Sequence, residues 1–190
     1  MWEKFSSAET AVIQEAGAAA TLYRLAAGPE RDAVATRAAL SNYLKLAIER
    51  DWPLMAKTKE SREVTEALNA LYASAMHLME NQSRQSQIFA EILRQLDSLT
   101  QARRSRIHLS MGIVPGLLWM ALCSGAVLTV GFTFFFGTKN LPAQVMMTGI
   151  LSAIVFMGLL VIVSINYPFT GPVHVGTEPL QTVLEDFENR

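Results

Sequence analysis

Residues able to do chemistry are thinly spread in this sequence. Its three histidines, His77, His108 and His174, stand far apart, and none belongs to an HExxH or comparable spacing that would put two ligands on one helical face. The single cysteine, Cys123, lies inside an apolar run, so neither a disulfide framework nor a CxxC metal or redox pair can be built. No GxSxG elbow, no P-loop and no GxGxxG leading from strand to helix occurs. No catalytic, cofactor-binding or metal-binding residues are therefore expected, and the chain reads as something other than an enzyme.

Charge narrows the field further. Sixteen basic and seventeen acidic residues nearly cancel, which leaves no basic stripe for nucleic acid. Their distribution is uneven. Through residue 107 charges recur every few positions, from 108 to 177 only Lys139 is charged, and the end is acidic (Glu178, Glu185, Asp186, Glu188, then Arg190). Ionisable groups inside a membrane mark proton relays and ion-coupled transport. The uncharged runs therefore argue against a pump or a membrane protease. The polar groups inside them, Ser124, Thr129, Thr133, Thr148 and Ser152, can bond back to their own helices, and Asn140 and Asn166 lie at the ends.

Two elements must carry these groups. Residues 113–136 are apolar or small and would reach roughly 36 Å as a helix; residues 145–165 would reach roughly 31 Å. Both exceed the ~30 Å hydrocarbon core of a bilayer. The breaker-rich turn Gly137-Thr138-Lys139-Asn140-Leu141-Pro142 between them forces an antiparallel hairpin. Pro115 begins or kinks the first span. Gly112 and Gly116, Ala121 and Gly125, and Gly149 and Ala153 have the small-xxx-small spacing of close helix packing. Pro115, Gly116, Trp119 and Gly125 are the candidate constriction or packing residues, and Trp2, Trp52 and Tyr167 the candidate interface anchors. Arg103, Arg104 and Arg106 precede the first span, whereas the turn offers only Lys139. The positive-inside rule therefore predicts a multi-pass protein of the cell (inner) membrane with both termini cytoplasmic. No cleavable signal peptide is read at Met1-Trp-Glu-Lys-Phe.

The remainder reads as helix. A first helix over 7–27 carries Ala8, Val12, Ala16, Ala19, Leu22, Tyr23 and Ala26 and stops at Gly28-Pro29. A second over 30–49 carries Leu40, Tyr43, Leu44, Ala47 and Ile48, with Asp51-Trp52-Pro53 expected to break it. A third from about Ser61 carries Val64, Leu68, Leu71, Tyr72, Ala75 and Met79; a fourth from about Arg84 carries Ile88, Ile92, Leu96, Leu99 and Arg103. After the second span, Pro168, Gly171 and Pro172 end helix, and a short amphipathic helix from Thr177 (Leu180, Val183, Leu184, Phe187) is expected to dock on the bundle. The fold class is all-α: a cytoplasmic antiparallel helical bundle (1–107), a two-helix transmembrane hairpin (108–166) and a cytoplasmic tail (167–190).

These segments together resemble the bestrophin-like family of mostly bacterial membrane proteins. The resemblance rests on Glu15-Ala16, Leu22-Tyr23-Arg24-Leu25, Tyr43, Asp51-Trp52-Pro53 and Arg103-Arg104-x-Arg106. It continues through Ile113-Val114-Pro115-Gly116-Leu117-Leu118-Trp119 and a span end marked by Asn166, Pro168, Phe169 and Gly171. It implies an oligomeric, channel-like protein without cofactors, whose partners are the lipid bilayer and further copies of itself. Family members usually carry two more spans before the Glu-Ala helix, so the resemblance implies a truncated chain or a shortened natural member. The alternative is a non-conducting scaffold or sensor whose bundle binds a cytoplasmic protein partner.

Overall fold

The structure, a computed structural model, describes residues 2–81, 87–111, 116–135, 141–171 and 174–189. Helices α1 (Trp2–Leu25), α2 (Arg31–Leu46), α3 (Trp52–Met55), α4 (Arg62–Asn81) and α5 (Gln87–Ser110) build a bundle, and α8 (Glu178–Glu188) packs back onto it. Between them, α6 (Gly116–Thr133) and α7 (Leu141–Asn166) pack on each other. Among the described residues there is no strand.

The apolar stripes read from the sequence become one core. Val12, Ala19 and Leu22 of α1, Leu40 and Leu44 of α2, Val64 and Leu71 of α4, and Ile92, Leu96 and Leu99 of α5 are all buried in it. Helix α1 packs chiefly along α5, and α2 along α4. Ile88, expected in the α5 stripe, is instead 47% exposed, because it sits in the first turn of that helix, where little covers it. Gly28 ends α1 with a φ of 143°, a backbone region that side chains with a Cβ rarely adopt.

Asp51-Trp52-Pro53 does not break the second helix. Helix α2 continues through a wider π-helical turn, Ala47–Asp51, into α3. The widened turn gives the Pro53 ring room against the preceding carbonyls, and Pro53 falls in the first turn of α3, where its missing N–H costs nothing. The chain reverses only afterwards, with Thr58 at a φ of 57° and the Lys59 N–H donating to the Leu54 carbonyl at 2.9 Å. Pro142, expected in a turn, likewise occupies the first turn of α7, for the same reason.

Among the described residues, α6 and α7 are the two helices long and apolar enough to cross a membrane. The apolar stretches are Gly116–Thr133, 18 residues, and Leu141–Ser164, 24 residues, or roughly 27 and 36 Å. None of either stretch is buried within the chain. Trp119, Leu122, Ala126, Val130 and Thr133 are the half-buried positions of α6 and recur at helical spacing, which marks the face toward α7. There Thr133 Oγ1 lies 3.4 Å from Thr148 Oγ1. The small-residue pairs Ala121 and Gly125, and Gly149 and Ala153, are exposed, so they lie away from this contact. Gly112, paired with Gly116 in the sequence reading, lies outside the described residues.

Candidate functional site

Where α5 runs toward α6, four charged side chains are buried together. Glu15 comes from α1, Asp51 from the π-helical turn, and Arg103 and Arg106 from α5; Glu15, Asp51 and Arg106 have no exposed surface. Glu15 falls in the apolar stripe of α1, one helical turn after Val12 and one before Ala19. Arg103 and Arg106 continue the stripe Ile92, Leu96, Leu99. Folding thus delivers ionised groups to the core, where each must be paired.

The pairing is complete. Arg106 Nε donates to Glu15 Oε2 at 2.7 Å, and its Nη2 donates to Glu15 Oε1 at 3.0 Å and to Asp51 Oδ2 at 3.4 Å. Arg103 Nε donates to the same Asp51 Oδ2 at 2.9 Å, and its Nη2 to Asp51 Oδ1 at 3.4 Å and to the Ser61 carbonyl at 3.3 Å. The Ser61 N–H donates to Asp51 Oδ1 at 3.0 Å, pinning the start of α4. Tyr43 Oη donates to Glu15 Oε1 at 2.5 Å. No buried side-chain nitrogen or oxygen among the described residues lacks a partner. Two carboxylates against two guanidiniums leave the cluster electrically neutral.

Burial, and then the neighbouring Glu15 charge, push the Tyr43 phenol well above its ordinary pKa, so it remains a donor. Burial alone would lower Arg106, but the Glu15 charge and hydrogen bonds, with Tyr43 and Asp51, hold it above the ordinary arginine value.

Trp52 connects this cluster to the end of α7. The Arg106 guanidinium lies 4.5 Å from the Trp52 ring centroid, and Phe169 meets the same ring edge-on at 5.9 Å. Its indole N–H donates to the Val175 carbonyl at 3.3 Å. The family-like span end is therefore a built turn: Asn166, Pro168 and Phe169 are buried, Val175 N–H donates to the Pro168 carbonyl at 2.7 Å, and Gly171 takes a φ of 84°. Trp52, expected as an interface anchor, has protein partners instead. Tyr167 is half-buried, and the Trp2 side chain lies outside the described residues.

The candidate residues read from the sequence separate into two groups by position. Of the arginines expected to set topology, Arg103 and Arg106 belong to the buried cluster and Arg104 alone is exposed. On α6, Gly116 and Gly125 are exposed with open space around them and Trp119 is half-buried, whereas Pro115 lies outside the described residues. A single hairpin encloses no lumen, so a constriction there would need further copies. The sequence marks Glu15, Tyr43, Asp51 and Trp52 as family-like residues without joining them. Its one pointer to their union is a carboxylate in the α1 stripe and an arginine pair continuing the α5 stripe.

No curated protein and no solved structure matches this chain. The model of the bestrophin-like domain matches residues 1–180, which take in the buried cluster, both apolar helices and the turn that follows them. The chain belongs to the bestrophin-like family.

Proposed function

We propose that this protein is a subunit of an oligomeric, channel-like assembly in the cell membrane, not an enzyme. The observation that carries the reading is the contrast between the two parts of the chain. Among the described residues the bundle pairs every charge it buries, while the apolar stretches of α6 and α7 carry no charge and have no residue buried within the chain. Such helices need lipid on one side, and their outward-facing Gly125 and Gly149 suit close approach by neighbouring copies. In a ring of copies, a passage lined by uncharged α6 or α7 would gate by shape or by dewetting. Arg103, Arg104 and Arg106 before α6, against Lys139 alone in the turn, support a cytoplasmic bundle. The clamp of Trp52 on Phe169 would then transmit movements of the α7 end to the bundle.

Planar-bilayer recording of the purified full chain tests this reading. Discrete conductance steps are expected, and conductance no greater than that of protein-free bilayers overturns it. The alternative is a non-conducting scaffold or sensor whose bundle binds a cytoplasmic protein partner. A silent bilayer together with a specific partner recovered on the bundle would select it.

A further inference from the structure

A groove of about 550 Å³ runs between α4 and α5 beside the buried cluster. Its apolar wall is Leu68, Tyr72, Ile107 and Met111, and its polar wall is Arg103, Arg104, His108 and Glu60. Met111 lies five residues before the first described residue of α6, so this end of the groove is close in sequence to the membrane-crossing segment. Of the five N–H donors of a guanidinium, those of Arg103 are assigned on Nε, on both positions of Nη2 and on one of Nη1, which donates to Thr65 Oγ1 at 3.2 Å. The second Nη1 donor has no acceptor among the described residues. Arg104, His108 and Glu60 are exposed. The lining thus offers donors and positive charge on α5, one carboxylate two residues before α4, and an apolar wall.

We infer that the groove holds the headgroup of a phosphoethanolamine lipid from the adjoining leaflet. The phosphate would accept from Arg103, Arg104 and His108. The ammonium, which still has hydrogens to donate, would meet Glu60. An anionic lipid without an amine leaves Glu60 facing a like charge, and a choline head presents methyl groups where Glu60 needs a donor. The inference rests on α6 and α7 lying in a bilayer and does not depend on conduction.

The test is native mass spectrometry of the full chain taken from vesicles with equal parts of phosphatidylethanolamine, phosphatidylglycerol and phosphatidylcholine. Preferential retention of phosphatidylethanolamine is expected. Arg104→Gln should lower it about tenfold, the worth of a charge-assisted contact, and Glu60→Gln should shift the preference toward phosphatidylglycerol. Both positions are exposed, so helical circular dichroism should be unchanged. Soluble phosphoethanolamine should displace the lipid at concentrations where inorganic phosphate does not; equal displacement by phosphate would reduce the site to a simple anion site and overturn the assignment. Equal retention of the three lipids, or retention indifferent to both substitutions, also overturns it.

Discussion

Arg106 donates to both Glu15 and Asp51 and so joins the two halves of the cluster. Removing one member of a buried ion pair leaves an uncompensated charge and costs about 3–5 kcal/mol, whereas replacing both by apolar groups of similar size is often nearly neutral. Arg106→Met is therefore expected to lower the thermal midpoint in mild detergent sharply, and Glu15→Met in the same chain should restore most of it. A double variant no more stable than either single one would mean that the pair does not act as a unit. Tyr43 adds a pH dependence. Its folded pKa is raised above the unfolded value near 10, so the unfolded chain gives up this proton first as the solution turns alkaline. Tyr43 therefore contributes stability that is complete below pH ~10 and declines above it. Comparing unfolding midpoints of Tyr43→Phe and the parent between about pH 9 and 11 should show a shallower alkaline decline in the variant. The residue types of this cluster are legible in the sequence: Arg103 falls in the α5 stripe, and Glu15, Tyr43 and Asp51 stand among the family marks. Their convergence is not legible, because Glu15 and Arg106 are 91 positions apart and no local pattern reports such a pairing.

At the scale of elements, helix patterns are legible wherever an apolar stripe is long, as in α1, α4 and α5. They mislead where proline is taken as a full stop. Pro53 and Pro142 both lie in first turns, which tolerate proline, and the π-helical turn before Pro53 has no signature in hydrophobic spacing. That turn brings Asp51 and Trp52 to the cluster, so its geometry matters more than its length. The tail helix α8 docks as its amphipathic pattern predicts: Leu180 and Phe187 are buried, Phe187 stacks on Tyr23 with centroids 3.8 Å apart, and Tyr23 Oη donates to the Phe187 carbonyl at 3.3 Å. Burial of one such ring is worth about 1.5–3 kcal/mol. Phe187→Ala should therefore release α8, seen as faster amide hydrogen exchange across Glu178–Glu188 while α4 keeps its protection. Protection unchanged in α8 would show that Leu180 suffices to hold it.

For the whole molecule, the lipid-facing surface is the most exacting part. Ile154 is 64% exposed and stands near the middle of the 26 residues of α7. An arginine at such a depth costs about 2.5–3.5 kcal/mol on insertion scales. Ile154→Arg is expected to reduce the membrane-inserted fraction after alkaline carbonate extraction, unless α6 and α7 form a water-filled passage that this position lines. Equal insertion of variant and parent would place Ile154 at such a passage or at a contact between copies.

The stacking of Phe187 on Tyr23 has a consequence for parity. It joins the last helix to the first, and the two apolar helices lie between them. A chain that crosses the bilayer in that interval must cross an even number of times, or α8 and α1 end on opposite sides. A copy that inserts only one of its two spans would therefore leave Tyr23 on one face of the membrane and Leu180 and Phe187 on the other, each without its packing partner.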